Sequence, residues 1–291
     1  MSTARPAAPN ASARDHERAV ILLALCGGFW STAGVLLKLV AWNSGAIWSV
    51  RCAVAVIALY AIRRPSLARI SRAEWHAALA LAATTGLFIL ANKLTSAANA
   101  ILIQYSAPIW VALFGAWLLG ERATRLDWLT IGVVLAGITL FFFEQLTIDH
   151  VAGNLVALAA GVAYAFAAIT LRKVTLVDRD ADPLRPLLLG NALGAVLGAP
   201  MIFASPPPSA TGWAALIALG VVQQAAAYLC YARAIRHATA LEALLIPIIE
   251  PILSPIWVAL AFGERPGPWA IAGGAIVVGG ITARAVLGRR R

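Results

Sequence analysis

The amino-acid sequence predicts an all-α integral membrane protein: ten transmembrane helices forming two inverted five-helix repeats, with both termini in the cytoplasm. Three observations carry this. The chain is 61% hydrophobic and 12% charged with a mean hydropathy of +0.81, whereas a soluble domain averages about a quarter charged residues. Its basic residues gather in alternate connections. One phrase is written twice, "SAPIWVALFGAWLLGER" from Ser106 to Arg122 and "LSPIWVALAFGER" from Leu253 to Arg265.

About 20 apolar residues cross a hydrocarbon core of roughly 30 Å, so 291 residues hold ten spans with short connections and no extramembrane domain. The apolar runs between polar breaks are Val20 to Val40, Gly45 to Ile62, Ala77 to Leu94, Asn99 to Leu119 and Leu126 to Phe143. Five more follow: Gly153 to Leu171, Leu184 to Phe203, Trp213 to Tyr231, Leu241 to Phe262 and Trp269 to Leu287. The first run is long enough to span and lacks a small-residue cleavage site, so it reads as a retained helix. Residues 1–18, rich in Ala, Pro and Ser at the start, read as a disordered cytoplasmic tail.

The net charge of +10 does not form a nucleic-acid patch, because the cations are strung through the connections. With the N-terminus inside, the cytoplasmic segments hold 18 of the 23 Lys and Arg, among them Arg63, Arg64, Arg122, Arg125, Arg172, Arg185, Arg236 and the C-terminal arginines. The other side receives Arg265, with Lys38 and Lys93 at span ends. The positive-inside rule therefore fixes both termini in the cytoplasm. Cys26, Cys52 and Cys230 fall inside spans without ligand-like spacing, as packing residues rather than a disulfide or metal framework.

The echo extends past each "GER", where "GVVLAGIT" (Gly132 to Thr139) matches "AIVVGGIT" (Ala275 to Thr282) at an offset of 143. Pairing Pro108 with Pro255 gives 147 instead, so span 9 is expected to lack one helical turn of span 4. "CGGFWSTAGVLLK" (Cys26 to Lys38) pairs with "AGVAYAFAAITLR" (Ala160 to Arg172) and sets Trp30 opposite Tyr164. The repeats are residues 19–145 and 150–288. Five spans per repeat is an odd number, so the second enters the membrane from the opposite side. Inverted repeats place a binding site near the midplane and support alternating access.

"GNLVALAAGVAYAFAAITLRK" (Gly153 to Lys173), "YLCYARAIRHATALEALLIPIIEPILSPIWVALAFGER" (Tyr228 to Arg265) and the two "GER" turns resemble the EamA-type carriers of the drug/metabolite transporter superfamily. "ANKLTSAANAILIQYSAPIW" (Ala91 to Trp110) is most similar to bacterial YddG-like amino-acid exporters. The resemblance implies a central cavity walled by spans 1 to 4 and 6 to 9, with spans 5 and 10 packed outside. It also implies a location in the bacterial inner membrane.

Span 9 carries Pro247, Pro251 and Pro255 at intervals of four, and span 4 carries Pro108. Each removes an amide donor and frees the carbonyl four residues back, which in hydrocarbon needs a partner. These positions are candidates for hinges and for lining a site. Glu250 sits at mid-span, where a charge costs about 3 kcal/mol on insertion scales. It is the proton-coupling or amine-contacting candidate, or else pairs with Arg51 or Lys93 to hold helices in register. Lys38 snorkels to the interface.

The candidate cavity set is Trp30, Ser31, Asn92, Gln104, Tyr105, Trp110, Tyr164, Gln223, Gln224 and Tyr228. Aromatic faces bind an ammonium group and amides orient a carboxylate, while each residue singly is equally a helix-packing group. Glu121, Arg122, Glu264 and Arg265 in the "GER" turns cap helices; the inverted topology puts one pair at each face, as candidate gate latches.

The expected function is a secondary transporter exporting small neutral or aromatic amino acids, with amino acids and membrane lipids as partners and no cofactor. A nucleotide-sugar or lipid carrier of the same superfamily is the alternative, because a fold does not fix a substrate. A membrane enzyme is disfavoured: the four histidines fall in tails, connections or span ends, and no "HExxH" or phosphate-cradling Gly-Lys-Ser/Thr loop occurs.

Overall fold

Short polar connections between long apolar runs dictate where helices start. In the computed structural model, which describes residues 11–146, 149–178, 180–263 and 267–288, every regular element among the described residues is helical. The first half contains α1 (Ala11–Ser31), α2 (Ala33–Lys38), α3 (Ser44–Arg63), α4 (Arg72–Leu94), α5 (Ala97–Gln104), α6 (Ala107–Leu118) and α7 (Arg125–Phe141). The second contains α8 (Val151–Val177), α9 (Leu184–Gly198), α10 (Ala210–Ala218), α11 (Ala227–Ala234), α12 (Ala240–Leu245), α13 (Glu250–Phe262) and α14 (Pro268–Gly288). A π-helix over Leu219–Ala226 joins α10 to α11, and a 3-10 turn over Ile246–Ile249 joins α12 to α13.

Asn43, Ser71, Ser96, Thr124, Ser209 and Thr239 each cap a helix by accepting from the amide three residues on. Glu74, Asp127 and Glu242 complete reciprocal capping boxes. Among the described residues nine helical segments are at least 18 residues long and apolar enough to cross a membrane; α7, equally apolar, has 17 residues. Trp117, Phe203 and Leu260 are 82%, 89% and 75% exposed, a surface that suits lipid tails rather than water.

Two expectations are corrected here. Residues 11–18 of the expected disordered tail are the first turns of α1, held where the His16 Nδ1 lies 3.1 Å from the His237 carbonyl. Span 9 is not a turn short. Ser96 and Thr239 cap the first pieces of the two broken spans, Pro108 and Pro251 open the second pieces, and Gly120 and Gly263 end the spans at φ 73° and 74°. All three pairs are 143 residues apart, so Pro108 is equivalent to Pro251, and Pro255 is an additional proline inside α13.

The carbonyls freed by these prolines meet glycines. A Cβ on Gly161 of α8 would stand 3.0 Å from the Gln104 carbonyl oxygen, and one on Gly27 of α1 would stand 2.9 Å from that of Pro247. Only a residue without Cβ lets α8 and α1 approach the breaks so closely. Outside this pair, α7 and α14 pack on each other through Gly137 and Gly273, whose added Cβ atoms would strike the opposite backbone.

Candidate functional site

The breaks in the two proline-bearing spans leave room between the helices. The result is a cavity of about 450 Å³ walled by α1 to α5 and, from the second half, α8, α9, the π-helix, α11 and α13. The expectation that span 5 lies wholly outside is corrected, because Phe141 and Phe142 at the end of α7 also line it. A volume of this size suits a small organic molecule. Trp30, Arg51, Asn92, Gln104, Tyr105, Tyr164, Gln223, Gln224, Tyr228, Glu250, Pro251 and Pro255 all line it.

Glu250 starts α13 immediately after the 3-10 turn, and Tyr105, which ends α5, donates its hydroxyl to Glu250 Oε2 at 3.3 Å. The two broken spans thus present their breaks to each other across the cavity. Arg51 lies on the wall with its Nε buried and without a hydrogen-bond partner. Of the pairings expected for Glu250, neither Arg51 nor Lys93 forms an ion pair with it among the described residues: Tyr105 is its partner, and Lys93 is exposed in the last turn of α4. Trp30 packs edge-on to Tyr228 at 6.3 Å and lies 5.9 Å from Tyr231 between ring centroids.

Ser31 and Trp110 do not line the cavity. The Ser31 hydroxyl donates to the Gly28 carbonyl at 2.6 Å and accepts from Trp257 Nε1 at 2.8 Å, which ties α1 to α13. Trp110 turns its Nε1 back to Ser106 Oγ at 3.1 Å and stacks on Phe114. Both satisfy themselves within the helix layer, the packing alternative weighed for them from sequence. Pro108 and Pro247 also lie off the wall, at the breaks covered by Gly161 and Gly27. Lys38 extends over the Phe262 ring, 5.4 Å from its centroid. Glu264 and Arg265 lie outside the described residues.

Glu121 does more than cap, because Arg172 reaches it from α8. Arg172 Nε donates to Glu121 Oε1 at 2.8 Å, and its Nη1 donates to the Ile235 and Arg236 carbonyls at 2.8 and 2.9 Å. Glu121 Oε2 accepts from the Ala240 amide at 2.9 Å. The guanidinium therefore sits on the carbonyl end of α11 and the carboxylate on the amide end of α12, each matching the helix dipole. Beside them Arg284 bonds Asp127 at 2.7 Å and Glu242 at 3.3 Å, and His16 Nε2 lies 3.6 Å from Glu242. Arg185 lies 3.2 Å from Glu74 on the same face. The opposite end is joined by neutral groups: Thr95 and Asn99 both donate to Asn154 Oδ1, at 2.8 and 3.1 Å.

Sequence inspection missed the π-helix and the buried string in which Gln224 Nε2 donates to Asn191 Oδ1 and to Cys52 Sγ. Asn191, a lone amide in a leucine-rich run and 2% exposed, was the available signal for the string. Sequence inspection also missed the Thr239–Glu242 capping box and the Arg284 beyond it. Among the described residues no cluster of His, Cys, Asp and Glu is arranged to hold a metal.

The sequence model of the EamA-like transporter family matches residues 18–143 and again 151–283. The chain is 25% identical over 277 residues to the pseudopaline exporter CntI of Pseudomonas aeruginosa (strain UCBPP-PA14), covering 91% of this chain and 95% of that one. It is 23% identical over 270 residues to an uncharacterized transporter of Archaeoglobus fulgidus, covering 92% and 95%. A solved crystal structure with 22% sequence identity superposes at a TM-score of 0.80 over 94% of this chain and 98% of the other, a likeness of fold.

Proposed function

The chain belongs to the EamA-like transporter family, and we propose that it exports small neutral or aromatic amino acids across a bacterial inner membrane. In this reading ten helices form two inverted repeats with both termini in the cytoplasm, and the halves rock about the central cavity. The observation that carries it is the cavity itself: about 450 Å³ at the breaks of the proline-bearing spans, lined by aromatic rings, amides, one Arg and one Glu. The named relatives are an exporter and a transporter, which favours transport over a membrane-embedded enzyme.

The ion network at the N-terminal face fits a closed cytoplasmic gate. Cavity-lining residues reach Asn92 and Ala97 at the far end, whereas the turn between α11 and α12 lies outside the lining. This is the arrangement of an outward-facing state, and alternating access then requires Glu121 and Arg172 to release residues 235–240. Glu250, bonded to Tyr105 at the junction of the two broken spans, is the proton-coupling candidate.

The test is reconstitution into liposomes loaded with mixed amino acids. Selective loss of aromatic or other neutral amino acids over protein-free vesicles is the expected result. Vesicles that retain every amino acid but pass pseudopaline or a nucleotide sugar would overturn the substrate assignment. Glu250→Gln is expected to abolish the effect of a pH gradient while exchange down a substrate gradient survives; a variant with unchanged pH dependence removes the proton role.

A further inference from the structure

Three polar atoms on one stretch of the cavity wall are buried without hydrogen-bond partners: Arg51 Nε, Gln223 Oε1 and Gln224 Oε1. They lie where α3 packs along the π-helix, and a Cβ on Gly220 would come within 3.0 Å of the Arg51 carbonyl oxygen. Arg51 is seven residues into α3, about 10 Å along the axis, and a buried guanidinium nitrogen left without a partner at that depth is costly. The π-helix widens the turn that carries Gln223 and Gln224, a distortion common at functional sites. Asn191 and Cys52 anchor the Gln224 amide nitrogen from behind, which fixes the carbonyl as the free end.

We infer that Arg51, Gln223 and Gln224 form a head-group site for a zwitterion, the guanidinium taking a carboxylate and the two amide carbonyls taking the adjacent ammonium. The unmatched set is one cationic donor beside two acceptors. A carboxylate alone satisfies the donor and leaves both carbonyls bare; an amine alone does the reverse and meets the Arg51 charge. A diphosphate would bring only acceptors to two carbonyl oxygens. An α-amino acid carries both complements on one carbon, and Trp30 and Tyr228 on the same cavity wall receive its side chain. This assigns the amides to the ammonium rather than to the carboxylate, and leaves Glu250 for Tyr105 and the proton.

The inference rests on the amino-acid reading and is tested by exchange of radiolabelled phenylalanine in proteoliposomes, with phenethylamine and 3-phenylpropionate as competitors. Neither analogue, each lacking one pole, is expected to compete at tenfold excess. Arg51→Gln is expected to raise the half-saturating phenylalanine concentration by roughly tenfold, the value of one charged hydrogen bond, with Arg51→Lys between it and the wild type and Gln223→Leu in the same direction. Competition by either analogue as strong as by phenylalanine overturns the inference, and this measurement on the wild type needs no variant to fold. An Arg51→Gln protein with unchanged half-saturation also overturns it. Exchange of amino acids with indiscriminate competition leaves the substrate reading standing and removes the head-group site; no exchange of any amino acid removes both.

Discussion

Two turns, related by an offset of 143 residues, are held in opposite ways. The turn before Ala240 is clamped by charge: Arg172 on the Ile235 and Arg236 carbonyls, Glu121 on the Ala240 amide, and Glu242 on Arg284. The turn before Ala97 is held by neutral amides and hydroxyls, Thr95 and Asn99 sharing the Asn154 side chain. The cavity reaches Ala97 and stops short of Ala240. Repeated sequence therefore gives repeated backbone, while the side chains that cover the two turns differ in charge. Charged hydrogen bonds are about twice as strong as neutral ones when kept from water, and the Arg172 and Glu121 side chains are only 14% and 21% exposed.

The largest expected effect follows from removing one charge of that clamp. Arg172→Met leaves Glu121 without its cation and two carbonyls without a donor, and should destabilise the protein by about 3 kcal/mol, read as thermal unfolding in detergent. A cysteine placed in the 235–240 turn should also become more readily labelled in that background. If Arg172→Met unfolds like the wild type, the clamp is ornamental.

Gly27→Val comes next. Its Cβ would stand 2.8 Å from Ile249 Cγ2 and 2.9 Å from the Pro247 carbonyl oxygen, so overpacking of about 2 kcal/mol is expected. Gly161→Val, against the Gln104 carbonyl in the other half, should cost a similar amount in the same unfolding assay. A large inequality would show that the two breaks are not equivalent.

Asn154→Ala tests the neutral turn and should cost about 1 kcal/mol, the net worth of ordinary hydrogen bonds. A loss equal to that of Arg172→Met would dissolve the contrast between the turns. The smallest effect is that of salt. Raising NaCl from 0.1 to 1 M should weaken the partly exposed ion network by a few tenths of a kcal/mol. The salt response should shrink in Arg172→Met and persist in Asn154→Ala.

The spans were legible because apolar length is a local signal, and so were the ends at Gly120 and Gly263, which are left-handed; the Ser, Thr and Asn caps and the start of α1 went unread. The repeat was legible too, but its register across the broken spans was not. Matching Pro108 to Pro255 followed the shared "PIWVAL" letters, whereas the backbone matches Pro108 to Pro251 because each begins a helix after a break. Ser31 and Trp110 carried the right chemistry for a cavity and the wrong orientation. A polar side chain on a span can face a neighbouring helix or the cavity, and composition is the same either way.

The sequence by itself determined that this chain is helical, apolar enough to lie in a membrane and built from two related halves, since these follow from hydropathy and self-similarity along the chain. Only the tertiary structure decided that Tyr105 meets Glu250, that Arg51 Nε and the Gln223 and Gln224 side-chain carbonyls are left without partners on one wall, and that Arg172 clamps residues 235–240 rather than reaching solvent. Each of those facts joins residues from different helices. Helix rotation and close approach at Gly27 and Gly161 set them, through the sum of many weak packing contacts that no local stretch of sequence contains.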